Sequence, residues 1–151
     1  MSHLHEYPVS VTWSGGREGS GTVTATRTKT TNTLSVPPEF QGPGNGTNPE
    51  ELLASSIAAC YTITFGIIAN NQKLPVKDIK TDAVGIVEQS GMSFNYKSIT
   101  LRPTITVDAS ADDAAIAKIE DFAHKADGYC IITNAVRGKL EIAVEPNIVR
   151  S

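Results

Sequence analysis

The 151-residue sequence predicts an α+β fold, and three observations lead to that class. Segments rich in Thr, Val and Ile occur on both sides of the chain centre, as in paired strands. Between them, residues 52–69 form an uncharged stretch of eighteen residues, which indicates one long helix. A second helical pattern covers 114–123. The length suits one domain covering residues 1–151.

The N-terminal part predicts a small antiparallel sheet. Residues 7–13 read as a strand, and the glycine-rich turn SGGREGSG that follows carries Arg17. Residues 22–36 have the composition of a strand pair, with a turn expected at Asn32. The segment PPEFQGPGNG holds three prolines and three glycines in ten residues and predicts a loop.

The long helix has a clear start signal. Asn48 suits the N-cap, Pro49 suits the first helical position, and Glu51 completes an Asn-x-x-Glu capping box. The pattern ends near Asn70 and Asn71. A helix of that length spans about 33 Å, as much as a small domain is wide.

The apolar character of this helix leaves two alternatives. Its length reaches the lower limit for a membrane span, but its Ser and Thr content and the absence of flanking basic clusters argue against one. The other alternative is full burial, which a small domain cannot provide for a long helix. We therefore expect a homodimer with this helix at its centre and no membrane partner.

The second half predicts a hairpin, a helix and a last strand. Residues 76–89 and 94–108 read as strands joined at Ser90 and Gly91, and the second strand alternates cleanly through Ile99, Leu101, Ile105 and Val107. Ser110 to Asp113 resembles a capping box for a helix that ends before Gly128. Residues 140–144 form a last strand stopped by Pro146.

Charge and motifs exclude several functions. The net charge of -3 argues against nucleic acid as a partner, because phosphate binding favours a basic surface. No basic segment precedes an apolar one at the N-terminus, so a cytoplasmic location is expected. His3 and His5 alone do not make a metal site, and no phosphate-binding loop is visible, so we expect no cofactor.

The two cysteines, Cys60 and Cys130, are the candidate reactive groups. They read either as buried thiols that pack like small apolar side chains or as a redox-active pair. A reactive Cys60 would require a nearby cation, because apolar surroundings raise a thiol pKa. No Lys or Arg lies between Glu51 and Lys73, so Arg17 is the candidate cation; the alternative for it is a solvated turn residue.

Glu50 is the candidate partner of Arg17. It lies ten positions before Cys60, about 15 Å along the same helix, so one arginine cannot easily serve both within one chain. An antiparallel copy of the helix would bring Glu50 and Arg17 of one chain to Cys60 of the other. Alternatively, Glu50 only interacts with the helix dipole, a contribution of about 0.3–1 kcal/mol.

Three segments together resemble the OsmC/Ohr family of thiol peroxidases. GTNPEELLASSIAACY resembles that family's signature around its peroxidatic cysteine, SGGREG is similar to its arginine turn, and CIITNAVRG is similar to its second-cysteine segment. The resemblance covers residues 7–145. One departure stands out, because the family places proline, a bulky residue and serine after the second cysteine, whereas this chain has Ile131, Ile132 and Thr133.

The resemblance implies a role for each candidate residue. Cys60 would be the peroxidatic cysteine, Cys130 the resolving cysteine, Arg17 the activating arginine and Glu50 its carboxylate partner. It further implies an intertwined homodimer that reduces organic hydroperoxides, with dihydrolipoyl groups or small thiols as reductants. Apolar side chains near Cys60 would favour organic peroxides.

Two other functions remain open at the level of sequence. One is a binding protein of the same fold whose cysteines are redox-inert. The other is a cysteine hydrolase, which needs a base beside the thiol. The single histidine on a predicted helix, His124, is the only candidate for that base.

Overall fold

The computed structural model describes residues Met1 to Ser151, which form two compact units, Met1–Leu52 and Leu53–Ser151. The class is α+β with antiparallel strand pairs and a long helix, as predicted. Helix α1, Pro49–Asn71, starts in the first unit and continues in the second.

The first unit is built around a three-stranded antiparallel sheet in the order β1-β2-β3, with β1 Val9–Ser14, β2 Ser20–Ala25 and β3 Thr30–Leu34. The predicted turn at Asn32 is wrong, because Asn32 pairs with Val23 inside β3. The chain turns instead just before Thr30, where Lys29 has a φ of 60°. Threonines dominate this strand pair, and their preference for pleated backbone overrides the turn preference of one asparagine.

The predicted start of α1 at Pro49 and its Asn48 cap are confirmed, but Glu51 bonds Thr47 rather than the Asn48 backbone. The Asn48 side-chain oxygen accepts a hydrogen bond from the Glu51 backbone N–H at 2.8 Å. The Glu51 carboxylate accepts from the Thr47 hydroxyl, also at 2.8 Å. The helix ends at Asn71, where the sequence pattern placed its end.

The second unit contains a four-stranded sheet whose predicted hairpin is confirmed. Strands β4, Val76–Ser90, and β5, Ser93–Val107, pair antiparallel along their length. The other edge of β5 pairs in parallel with β6, Glu141–Val144, and then with β7, Asn147–Arg150. Strand β7 was not predicted. Pro146 ends β6 as expected, but the chain resumes pairing directly after it.

Three helical segments follow one another between the hairpin and β6. They are α2, Asp113–Lys125, a 3-10 turn, Ala126–Tyr129, and α3, Ile131–Val136. The predicted Ser110 cap is wrong, because the Asp112 carboxylate accepts from the Ala115 N–H at 2.8 Å while the Ser110 hydroxyl donates to Asp108 at 2.6 Å. Helix α3 was not predicted, since six residues are too few to show a periodicity.

One face of α1 forms the core of the second unit together with β5 and α2. The buried residues are Ile57, Tyr61, Phe65 and Ala69 on α1, Ile99, Leu101, Ile105 and Val107 on β5, and Ile119, Ala123 and Ala126. The predicted inward alternation of β5 is thereby confirmed. The phenol of Tyr61 donates a hydrogen bond to the Ala123 carbonyl at 2.5 Å, which ties α1 to the helix that leads to Cys130.

Helix α1 is long and apolar enough, by length and composition alone, to cross a bilayer. Its inward residues nevertheless form the core of the sheet and helix layers, as in the core helix of a soluble fold. Only 22% of its most apolar window is buried inside the chain. Ile63 and Ile67 on the outward face are 62% and 56% exposed.

Candidate functional site

The structure brings Cys60 and Cys130 together within one chain. Cys60 is half-buried in the middle of α1, and Cys130 is fully buried at the N-cap of α3. The two side chains share a hydrogen bond that lowers the pKa of Cys60 and raises the pKa of Cys130. The Cys130 thiol is therefore the donor and the Cys60 sulfur the acceptor.

The pKa of Cys60 is lowered despite its burial. Burial is the largest influence and raises the pKa, but hydrogen bonds from the Cys130 thiol, the Ile132 N–H, the Thr64 hydroxyl and the Ile131 N–H together lower it further. Hydrogen bonds donated to a charged form favour that form. Neutral donors of the second unit alone thus favour a Cys60 thiolate, although its apolar sequence surroundings predict the need for a nearby cation.

Cys130 has the opposite tendency. Burial and the hydrogen bond to Cys60 raise its pKa, while the side chain and backbone N–H of Thr133 lower it, and the net result is a raised pKa. The two shifts make Cys60 the more acidic thiol of the pair and Cys130 the less acidic one. Such a division of roles is typical of a nucleophile with a neighbouring resolving thiol.

The segment around Cys130 is fixed without the proline that the family pattern would place there. The Cys130 sulfur accepts from the Thr133 N–H at 3.3 Å and its carbonyl accepts from the Asn134 N–H at 3.0 Å. Arg137 bonds the backbone carbonyl and the carboxylate of Asp127 at 3.2 and 3.4 Å. These contacts hold the backbone before and after Cys130, so the cysteine has a defined position at the start of α3.

The other two predicted site residues belong to the first unit. Arg17 is exposed in the turn between β1 and β2, and this turn is closed by a hydrogen bond from the Gly19 N–H to the Gly16 carbonyl at 2.9 Å. Glu50 is half-buried in the first turn of α1. Their roles beside Cys60 stay predictions. His124, the candidate base of a hydrolase, is exposed and is not among the groups that bond either sulfur.

Sequence reasoning missed Thr64 and Thr133 as site residues. Thr64 follows Cys60 by four positions, a spacing that places both side chains on one helix face and that was readable from the sequence. Thr133 lies in the short α3, whose existence no sequence pattern indicated. The Ile131 and Ile132 amides depend on the same helix and were missed for the same reason.

An open groove of about 340 Å³ lies along α1 and starts one turn after Cys60, at Thr64. Thr64, whose hydroxyl bonds the Cys60 sulfur, is the lining residue that connects this groove to the cysteine pair. Helix α1 forms one side, and the remaining walls come from the region of α2 and the turn before Cys130. The lining residues are Thr64, Ile67, Ile68, Asn71, Gln72, Phe122 and Tyr129.

Comparison with known proteins points to one family. A family model described as OsmC-like protein matches residues 42–145. The uncharacterized protein YmaD of Bacillus subtilis is 34% identical over 146 residues, which is 95% of each chain. The organic hydroperoxide resistance protein of Xanthomonas axonopodis pv. citri is 33% identical over 141 residues, covering 91% of this chain and 92% of the relative.

Solved structures agree. An organic hydroperoxide resistance protein OsmC from Legionella pneumophila superimposes with a TM-score of 0.74 at 26% identity, covering 95% of this chain and 99% of the other. An organic hydroperoxide resistance protein from Elizabethkingia anophelis gives a TM-score of 0.76 at 22% identity, covering 99% and 100%. The second likeness, at that identity, shows the shared fold.

The hydrogen bond from Thr64 makes a testable contribution to the Cys60 thiolate. Thr64→Val removes the hydroxyl without changing the shape of the side chain, so the pKa of Cys60 should rise and its alkylation by iodoacetamide at neutral pH should slow. The measurement is the pH dependence of alkylation at the Cys60 peptide, followed by mass spectrometry. Thr64→Ser keeps the hydroxyl and serves as the matched control. An alkylation midpoint that is the same in Thr64→Val and the parent would contradict this role.

Proposed function

The chain belongs to the OsmC/Ohr family, and from that membership we propose that it is a cysteine peroxidase that reduces organic hydroperoxides to alcohols. The observation that carries the proposal is the Cys60–Cys130 hydrogen bond, with a lowered pKa at Cys60 and a raised one at Cys130. A nucleophilic sulfur and a resolving thiol in direct contact suit two-electron reduction of a peroxide. Relatives named organic hydroperoxide resistance proteins support the substrate class.

The first step is attack of the Cys60 thiolate on the distal oxygen of the hydroperoxide. The O–O bond breaks, its electron pair leaves with the alkoxide, and the alkoxide takes up a proton to become the alcohol. Cys60 is left as a sulfenic acid. In this proposal Arg17 orients the peroxide and stabilises the thiolate through its fixed guanidinium fork, and Glu50 holds Arg17 in place.

The second step joins the two cysteines. The Cys130 sulfur attacks the sulfenic sulfur of Cys60, hydroxide leaves with the released proton as water, and a disulfide forms. Little movement is needed, because the two sulfurs already share a hydrogen bond in the reduced chain. The disulfide protects Cys60 from irreversible oxidation.

A dithiol reductant, such as a dihydrolipoyl group or a small thiol, closes the cycle by exchange with the disulfide. A disulfide that forms and is reduced in each turnover fits a reducing compartment, so we place the reaction in the cytoplasm. No bound cofactor takes part, since both electrons pass between sulfur and oxygen.

The homodimer is also part of the proposal. In the second unit α1 exposes Ile63 and Ile67, and in the first unit β1 exposes Val9, Val11 and Trp13. Exposed apolar side chains on regular elements favour contact with another surface. A second copy that covers them would bury the outward face of α1 and would allow Arg17 and Glu50 of one chain to reach Cys60 of the other.

The groove that starts at Thr64 supports a preference for organic over hydrogen peroxide. Four of its seven lining residues are aliphatic or aromatic and suit an alkyl or aryl substituent, and each buried CH₂ of a substrate contributes about 0.8 kcal/mol. Hydrogen peroxide has no such group. The preference should therefore grow with the size of the substituent until the groove is filled.

The two cysteines should differ in their mutational effects. Cys60→Ser should abolish turnover, because it removes the nucleophile. Cys130→Ser should permit one reduction per chain and then stall or over-oxidise, because the sulfenic acid has no partner. The measurement is steady-state consumption of tert-butyl hydroperoxide against hydrogen peroxide, with dihydrolipoamide and with dithiothreitol, together with a single-turnover alcohol yield.

The contrary result is equally clear. Parental activity in Cys60→Ser would end the peroxidase proposal. If the parent protein consumes no peroxide and keeps both thiols, the chain is a binding protein of this fold with redox-inert cysteines.

The dimer prediction has its own test. The mass of the parent protein in light scattering at micromolar concentration should be that of two chains, and Ile63→Glu should lower it toward one chain because it places a charge on the outward face of α1. Lys118→Glu introduces the same carboxylate on the exposed face of α2 and should leave the mass unchanged. A parent protein of single-chain mass would contradict the dimer.

A further inference from the structure

Thr133 has a buried hydroxyl whose purpose the fold does not explain. The residue is fully buried, and its hydroxyl oxygen makes no regular hydrogen bond. A buried hydroxyl without a partner destabilises the folded state, so most buried hydroxyls have one. A valine would fill the same space without that cost. The hydroxyl is therefore a candidate for a function rather than for stability.

The surroundings of Thr133 point to Cys130. The Thr133 N–H donates to the Cys130 sulfur at 3.3 Å, and its side chain is also close enough to that sulfur to lower the Cys130 pKa. In the reduced chain the side-chain contact falls short of regular hydrogen-bond geometry. The acceptor there is a neutral thiol, which is a weak one. A thiolate at the same place would be a strong acceptor for both donors.

We propose that Thr133 is a positioning residue for the reductive half-reaction: it stabilises Cys130 as the departing thiolate and so directs the dithiol reductant to the Cys60 sulfur of the disulfide. This inference rests on the proposed function, because it concerns the disulfide formed in that cycle.

Reduction of the disulfide takes two thiol–disulfide exchange steps. A thiolate of the reductant attacks the Cys60 sulfur, and the electron pair of the S–S bond passes to Cys130, which leaves as a thiolate beside Thr133. The second thiol of the reductant loses its proton and attacks the reductant's own sulfur in the mixed disulfide. Cys60 leaves as a thiolate and the reductant becomes a cyclic disulfide. Cys130 takes up one of the two released protons, and solvent takes the other.

Accessibility favours attack at Cys60. Cys60 is partly exposed, whereas Cys130 is 0% exposed, and an attacking thiolate must approach along the S–S axis. The pKa values of the reduced pair alone would favour attack at Cys130 with Cys60 as the leaving group, since the thiol of lower pKa leaves faster. However, the bond and charge of Cys60 that help raise the Cys130 pKa vanish once Cys60 is in a mixed disulfide. The two Thr133 donors then remain to stabilise the Cys130 thiolate against burial.

The test separates the two half-reactions in Thr133→Val and in the matched Thr133→Ser, both of which keep the backbone N–H. Each protein is oxidised with one equivalent of tert-butyl hydroperoxide or with diamide, then mixed with dihydrolipoamide, and free thiols are counted over time. Thr133→Val should react with peroxide at a rate close to that of the parent, but its disulfide should be reduced about tenfold more slowly or worse, because a hydrogen bond to a charged group is lost. Thr133→Ser should recover most of that rate.

Two further measurements distinguish a role of Thr133 in reduction from a role in fold stability alone. The reduced Thr133→Val protein should unfold in urea at the same concentration as the parent or a higher one, because no satisfied bond was removed. With a monothiol, the trapped adduct in the parent should lie on Cys60 by peptide mapping. Reduction of Thr133→Val at the parental rate, failure of serine to restore it, or an adduct on Cys130 would overturn the inference. A parent that forms the disulfide with diamide but not with peroxide would contradict the proposed peroxidase instead, while its reduction rates still test Thr133.

Discussion

The contact between the sulfurs of Cys60 and Cys130 is the interaction on which the proposed chemistry of this chain depends. A thiol inside an apolar helix is normally held neutral by burial. Here four hydrogen-bond donors converge on Cys60, and one of them is the thiol that would later resolve it. Two features keep that contact in place: the Tyr61 hydrogen bond to α2, and the capping of α3 by Cys130 itself. The contact between the cysteines and the stability of the fold thus rely on the same few residues.

Features of the fold that depend only on neighbouring residues were predicted correctly from the sequence. The Asn48 cap and the alternation along β5 are examples, because a capping residue and a half-buried strand each produce a recognisable pattern within a few residues. The failures have equally physical causes. Ser110 was passed over as a cap because Asp108 binds its hydroxyl, and β7 depends on the free edge of β5, which lies about forty residues earlier. Because the pairing of β7 depends on a strand that is distant in sequence, the residues of β7 alone do not indicate it.

The candidate site shows the same division. Cys60 and Cys130 were identified from motifs, and the structure places them in contact. The requirement for a cation followed from the apolar sequence around Cys60, but it did not anticipate neutral donors. Those donors come from Thr64, one turn along the same helix, and from the amides at the start of α3. Arg17 would add to this stabilisation, but the neutral donors already favour the thiolate. Its main proposed role is therefore to orient the substrate.

The most direct test of this account is where the disulfide forms. A mixture of isotope-labelled and unlabelled chains, associated before oxidation, is treated with less than one equivalent of tert-butyl hydroperoxide, and its linked peptides are mapped by mass spectrometry. We expect a Cys60–Cys130 linkage in which both peptides carry the same label, with two thiols lost for each peroxide consumed. Linkage between labelled and unlabelled peptides, or loss of peroxide with both thiols intact, would contradict it.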